Sequence, residues 1–377
     1  MTLTIISHTE HYYRSDGTLV GWGPTVTEIN HLLDLFDSIC HVAMLHPSKA
    51  PPSALPYRSD RITFLALPVI GGKNWSAKMQ WVFQAPKVIR IVKQAVQSSD
   101  CFQLRTPVGM GIYLIPYLNL FLKVPGWYKY AGNWNQKSAP LGYRFQRFLL
   151  RNQRRPVTIN GHWPDQPSHC LTFENPCLTQ GELEAGDQYT KQRSLPKIWN
   201  FCYVGRLEEE KGVGRIIQAI SKLSLAEKKK IGQVHFVGDG LERERFEGEA
   251  KKSGVAMTFY GYLPREEVFQ IYMQSHVFIM PTQASEGFPK VIAEAMNFGC
   301  LPVVSDVSSI PQYIRHGREG FLIPEGTTAS AHEVLKSIIG LKTEPYMDFL
   351  SEGRWLVSLF GFENYLEKLR AEVIPHF

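Results

Sequence analysis

No two cysteines stand as a Cys-x-x-Cys pair; the six lie at 40, 101, 170, 177, 202 and 300. That spread excludes a disulfide scaffold and reads as reduced thiols in a cytoplasmic protein. His169-Cys170 with Cys177 makes one metal-like corner, but no second ligand pair accompanies it. Long apolar runs are missing as well. The most apolar region, Gly109 to Val124, contains Pro116, Asn119 and Lys123 and is shorter than the ~20 residues a spanning helix needs, so it predicts a helix in a soluble core. Met1-Thr-Leu-Thr-Ile-Ile-Ser lacks a basic leader and a long apolar core, and predicts a first strand rather than a signal peptide. No Gly-x-Gly-x-x-Gly follows a strand, which removes a dinucleotide-dehydrogenase reading. No Asp-x-Asp occurs, so a metal held by that motif is not indicated.

What is present suits two α/β domains. The chain has 377 residues, 44% of them hydrophobic and 20% charged. Short apolar runs such as Leu3–Ser7, Ile39–Met44 and Ile62–Leu67 alternate with helical patterns such as Thr25–Phe36 and Val88–Val96. Such alternation predicts doubly wound parallel sheets, with ligands at the loops beyond the strands' carboxyl ends. The loop His8–Pro24, with Gly21 and Gly23, is one such place, and Arg105-Thr-Pro107 is another. The pattern lapses at Leu183–Pro196, a polar stretch that reads as a linker. The expected division is 1–190, then 195–354, then an amphipathic segment 355–377 that can cross back to the first domain. Residues 1–195 carry 20 Lys/Arg against 12 Asp/Glu, and residues 51–155 carry 16 against 2. That segment also holds Trp75, Trp81, Tyr113, Tyr117, Trp127, Tyr128, Tyr130, Trp134, Tyr143 and Phe145. A basic, aromatic surface for anionic lipid, an anionic acceptor or single-stranded nucleic acid is one reading. Aromatics in the core beneath a solvated charged face is the other.

The chemistry concentrates in the second half. Val277-Phe-Ile-Met280 reads as a buried strand, followed by a loop with Glu286 and Gly287. Pro289 suits the first turn of a helix, Val291, Ile292, Ala295 and Met296 its apolar face, and Gly299 the position past its end. Upstream, Tyr203-Val-Gly205-Arg206 to Lys211-Gly212-Val-Gly214 is a strand, a glycine-punctuated loop and a helix start. Two cations at a helix mouth suit a diphosphate. Glu286 and Glu294 could be an acid/base pair. Their spacing across a helix N-terminus instead suits one long ligand with hydroxyl-rich ends and an anionic centre, such as a nucleotide sugar.

Gly205-Arg206-Leu…Lys211-Gly212, Gly238-Asp-Gly240, Tyr260-Gly261 and Glu286-Gly-Phe-Pro…Glu294-Ala-Met together resemble the donor domain of family 4 retaining glycosyltransferases. The resemblance covers about residues 199–325. It implies a GT-B fold, two Rossmann-like domains facing a central cleft. Arg206 and Lys211 would bind the donor diphosphate and stabilise the leaving group. Glu286 would take hydroxyls of the transferred sugar, with the amides of Gly287 and Phe288, and Glu294 the ribose hydroxyls. The Gly261–Leu263 backbone would face the nucleobase. Pro289 departs from the glycine of many relatives and has no amide to donate, so Lys290 would serve instead. Gly21, Gly23 and Arg105 are the candidates for the acceptor or phosphate side, and a structural arginine is the competing account of Arg105. The implied function is metal-independent, retaining hexosyl transfer from a UDP- or GDP-sugar to a glycan or lipid-linked acceptor. The cysteine spread and the basic, aromatic first half set the expected location as cytoplasmic, with peripheral contact at the inner membrane face through the first domain. A nucleotide-sugar epimerase or hydrolase of the same fold, and a non-enzymatic nucleotide-binding module, stay open as alternatives.

Overall fold

The computed structural model describes residues 1–69 and 75–377 and forms two compact units, Met1–Asn175 with Phe362–Phe377, and Pro176–Gly361. The first contains β1 (Thr2–Tyr13), β2 (Leu19–Trp22), β3 (Ser38–Leu45), β4 (Ala54–Pro56), β5 (Ile62–Leu67), β6 (Cys101–Thr106), β7 (Gly126–Tyr130), β8 (Val157–Ile159) and β9 (Cys170–Thr172). Seven of these pair in parallel in the order β5-β3-β1-β6-β7-β8-β9. β2 pairs antiparallel with the far half of β1, and β4 pairs antiparallel with β2. The connecting helices bury both faces of the parallel strands, which explains runs as apolar as Leu3–Ile6.

The structure corrects several expectations. The loop expected at His8–Pro24 is mostly a hairpin, because β1 runs on to Tyr13 and β2 pairs back with His11 opposite Gly21. A Cβ on Gly21 would lie 2.4 Å from the His11 ring, and one on Gly23 2.7 Å from the Ser53 carbonyl oxygen. Both glycines are thus explained by close packing. The expected basic aromatic surface also shrinks. Trp127, Tyr128, Tyr130 and Trp134 are core, while Tyr143 and Phe145 are exposed. Arg155 spends its guanidinium on the carbonyls of Val124, Leu118 and Leu122. The side chains of Trp75 and Trp81 lie outside those described. Finally, the expected linker is largely a helix, Gln180–Thr190, opened by a Thr179/Glu182 capping box. It belongs to the second unit, so the division falls at Asn175/Pro176 rather than near 190. A Cβ on Gly186 would meet Asn297 at 2.4 Å, so this polar helix docks closely through its glycine.

The segment 362–377 belongs to the first unit. Tyr365, Leu366, Leu369 and Val373 join the cluster of Leu3, Ile29 and Trp127, and Phe362 stacks on His31 at 3.8 Å. Residues 355–361, expected to go with it, stay in the second unit.

A buried polar chain crosses the first unit. Ser7 Oγ lies 2.8 Å from His41 Nε2, His41 Nδ1 lies 2.6 Å from the Tyr57 hydroxyl, and that hydroxyl lies 2.7 Å from His11 Nε2. Burial pushes His11 down to about 4, against the opposing bond to the Thr9 carbonyl. Burial, with His11 and Arg105 nearby, holds His41 well below its ordinary value. Both rings are neutral in the folded state, whereas the unfolded chain protonates them near pH ~6.5. Their stabilisation is fully present above that pH. Below it the unfolded chain binds more protons, and stability falls by up to about 1.4 kcal/mol per pH unit for each ring. Urea midpoints should therefore drop between about pH 7 and about pH 5. A flat profile would mean that the folded state accepts those protons.

The second unit holds β10 (Trp199–Val204), β11 (Ile231–Val237), β12 (Ala256–Gly261), β13 (Val277–Met280), β14 (Leu301–Ser305) and β15 (Phe321–Ile323). All pair in parallel in the order β12-β11-β10-β13-β14-β15. Strand order reverses between β10 and β13. Chains leaving these two neighbours diverge to opposite faces of the sheet, which opens a crevice at their carboxyl ends.

Candidate functional site

The two acidic and basic motifs follow β10 and β13, so the switch point brings them together. After β10 the backbone turns through Gly205 and Lys211 to Gly212, which precedes the helix Val213–Ser221 with φ +95°. A Cβ on Gly212 would lie 2.4 Å from the Pro281 carbonyl oxygen, and one on Gly238 2.0 Å from that of Gly205. Only glycine fits either place. The Gly238 amide donates to the Gly261 carbonyl at 2.8 Å, so the ends of β10, β11 and β12 gather at one rim.

Arg215, in the first turn of the helix after Gly212, fastens the two loops. It donates to the Pro281 carbonyl at 3.0 Å and the Glu210 carbonyl at 3.0 Å. The Gln283 amide returns a bond to Glu210 at 2.9 Å. On this frame Lys211 Nζ bonds Glu286 Oε1. Lys211 is 12% exposed and Glu286 50%, so the cation is sheltered while the carboxylate keeps a face to solvent. Arg206 is not drawn in. It is 66% exposed and pairs with Glu208 at 2.7 Å.

Pro289 precedes the helix Lys290–Asn297, and Gly299 follows its end with φ +74°. Gly287 is buried, and the Phe288 ring is core, stacked on Phe360 at 4.5 Å, so only the backbone of Phe288 is left to meet a ligand. Pro289 and Lys290 are half-buried. Leu263 packs partly buried against the core beyond the Gly261 rim. Glu294 is held apart from Glu286. Its Oε1 accepts from Arg265 Nη1 at 2.6 Å, and Arg265 Nε donates to Glu182 Oε1 at 2.9 Å. Burial pulls the Arg265 guanidinium down, but the two carboxylates outweigh it and leave it raised. Burial pushes Glu182 up, and Arg265 with the Thr179 amide brings it below its ordinary value. Sequence reasoning misses Arg215, Arg265 and Glu182 as parts of this frame. The Thr179-x-x-Glu182 capping box is a readable signal, whereas Arg265 finds its partners 83 and 29 positions away with no local pattern to announce it.

In the first unit Arg105 is structural. It donates to Gln103 Oε1 at 2.9 Å and to Glu28 Oε1 at 2.9 Å. Glu28 Oε1 also accepts from Lys129 Nζ at 2.6 Å and from the Tyr365 hydroxyl at 3.2 Å. Arg105 is thus occupied in a buried ion cluster and is corrected as a candidate for the acceptor side. Among the described residues no group of three or more His, Cys, Asp or Glu is placed to hold a metal ion. His169 Nε2 lies 2.9 Å from the Leu150 carbonyl, and burial pushes the Cys170 thiol up to about 12. Among the described residues no helix is long and apolar enough to cross a membrane.

Comparison with known proteins bears on the second unit and on the fold. Residues 189–354 match the family model Glycosyl transferases group 1. A sulfoquinovosyl transferase of Arabidopsis thaliana is 30% identical over 140 residues, 36% of this chain and 26% of the relative. A lipopolysaccharide 1,6-galactosyltransferase of Salmonella typhimurium is 31% identical over 139 residues, 36% of this chain and 37% of the relative. The chain thus matches well under half the length of either relative. The crystal structure of Anabaena HepE in complex with UDP-glucose superposes with a TM-score of 0.70 at 13% identity, covering 100% of both chains. The segment 189–354 is thereby similar to group 1 glycosyl transferases, and the two α/β units have the GT-B fold of such enzymes.

Proposed function

We propose that this chain is a retaining, metal-independent glycosyltransferase of the family 4 type. It moves a hexose-type sugar from a UDP- or GDP-sugar to a glycan or lipid-linked acceptor in cell-surface polysaccharide or glycolipid synthesis. The observation that carries the reading is the Lys211–Glu286 pair at the β10/β13 switch point, beside a rim cleared by glycines. As the bond from the sugar's anomeric carbon to the phosphate oxygen breaks, negative charge grows on the diphosphate. Lys211, the amides at the starts of helices 213–221 and 290–297, and Arg206, once it turns from Glu208, stabilise that charge. Glu286 accepts hydroxyls of the transferred sugar on its open face. Glu294, held by Arg265, accepts those of the ribose, and the Gly261–Leu263 backbone borders the base. The acceptor hydroxyl attacks from the face the phosphate leaves and gives its proton to the departing phosphate oxygen, which retains the anomeric configuration. The galactosyltransferase and sulfoquinovosyl transferase relatives, and the neighbour that binds UDP-glucose, support a sugar-nucleotide donor.

A thermal-shift screen with UDP, GDP, ADP and dTDP tests the donor. One of the first two should raise Tm, since a ligand at about 100 times its Kd adds about 2.7 kcal/mol to the folded state. Glu294→Ala should shrink that shift, whereas Glu286→Ala should leave most of it. If none of the four nucleotides shifts Tm, the donor site is misassigned.

A further inference from the structure

We propose that the outward face of the helix Leu141–Arg151 docks the first unit on an anionic lipid bilayer. This deepens the reading of a membrane-side acceptor and rests on it only for its biological setting.

The helix is amphipathic the wrong way round for a soluble core. Leu141, Phe145 and Phe148 fall at i, i+4 and i+7 on one stripe, and their exposures are 79%, 45% and 60%. The opposite side buries Gln146, which accepts from the Val108 amide at 3.1 Å, together with Leu150. The large aromatic rings therefore point to solvent while an amide is spent inside. The neighbouring helix, Gly111–Phe121, contacts this one through Ile112 against Gly142 and exposes Leu120 and Phe121 at its end.

Charge selects the occupant. Between Cys101 and Pro164 the chain has nine Lys/Arg and no Asp or Glu. Arg105, Lys129 and Arg155 are consumed inside, and Arg147 and Arg151 are tied to backbone carbonyls. Arg144 stands exposed beside the apolar stripe, with Arg154, Lys137 and Lys123 exposed on the same helix pair and its flanking loops. An apolar stripe edged by cations matches the interface of an anionic bilayer, where rings enter the acyl boundary and guanidinium groups meet phosphates. A second copy would bring the same cations against each other, with no carboxylate in the segment to meet them.

Co-sedimentation of the full chain with vesicles tests the assignment. Binding is expected to vesicles of phosphatidylcholine with phosphatidylglycerol at low salt, to fall with added salt, and to be weak on phosphatidylcholine alone. The double variant Phe145→Ser/Phe148→Ser should lose about tenfold or more of that binding, and Arg144→Gln/Arg154→Gln should flatten the salt dependence. All four positions are exposed, so unfolding midpoints should stay put. A nucleotide thermal shift retained in the variants separates this surface from the donor site. The proposal is overturned if the wild-type chain ignores anionic vesicles or the phenylalanine variant binds as well as wild type. It is also overturned if the patch instead drives a concentration-dependent dimer that the variant abolishes.

Discussion

Lys211→Ala should lower the rate of sugar transfer by about 10²–10³-fold, the loss typical of removing one preorganised group that meets developing transition-state charge. The sheltered position of Lys211 is the reason for the size of the effect. At 12% exposure its ammonium is poorly screened, and Arg215 fixes the loop that carries it by bonds to Pro281 and Glu210. The loss should appear in kcat more than in the thermal shift given by the free nucleotide, since the charge at issue grows only as the bond breaks. Glu286→Ala should also lower turnover. The double variant should lose less than the product of the two single effects, because Lys211 and Glu286 are bonded to one another. Steady-state kinetics on the donor chosen by the nucleotide screen makes the measurement. Turnover within a few-fold of wild type in Lys211→Ala would remove the lysine from the chemistry.

Glu28→Ala should destabilise the first unit by about 3–5 kcal/mol, the range for a buried pair broken by loss of one partner. Glu28 is only 4% exposed, and its carboxylate answers two cations, Arg105 and Lys129, themselves 11% and 8% exposed. Removing it leaves two positive charges facing each other out of water. Tyr365, which donates to the same oxygen, belongs to the returning C-terminal segment, so the loss should also loosen 362–377. Tyr365→Phe deletes one hydrogen bond and should cost only about 1 kcal/mol. Urea unfolding of the three proteins gives the comparison. A midpoint for Glu28→Ala close to that of Tyr365→Phe would show that the cations find other partners or water.

Much of the second unit is legible in local sequence patterns. Val277–Met280 is short and wholly apolar, and it forms a strand with the expected limits. A buried parallel strand needs little beyond that local pattern. Gly299 likewise follows its helix as expected, while Pro289 stands one position before the helix rather than in its first turn. The linker expectation fails for a local reason too. It weighs the polarity of the stretch and not its capping box, and a polar helix tethered by Asn297 and Arg354 needs no wide apolar stripe.

The sequence by itself determined many of the elements and the motif residues Arg206, Lys211, Glu286 and Glu294, since each depends on a handful of adjacent positions. Tertiary structure alone decided the pairings. Strand order placed the loops after β10 and β13 side by side, so Lys211 meets Glu286 across 75 positions of chain while Arg206 turns to Glu208. It also bridged Glu182 to Glu294 through Arg265, buried Arg105 against Glu28, and left Phe145 and Phe148 outside while Trp127 went in. Composition counts cations and rings. Only packing determines which cations a buried carboxylate captures and which rings remain to face solvent.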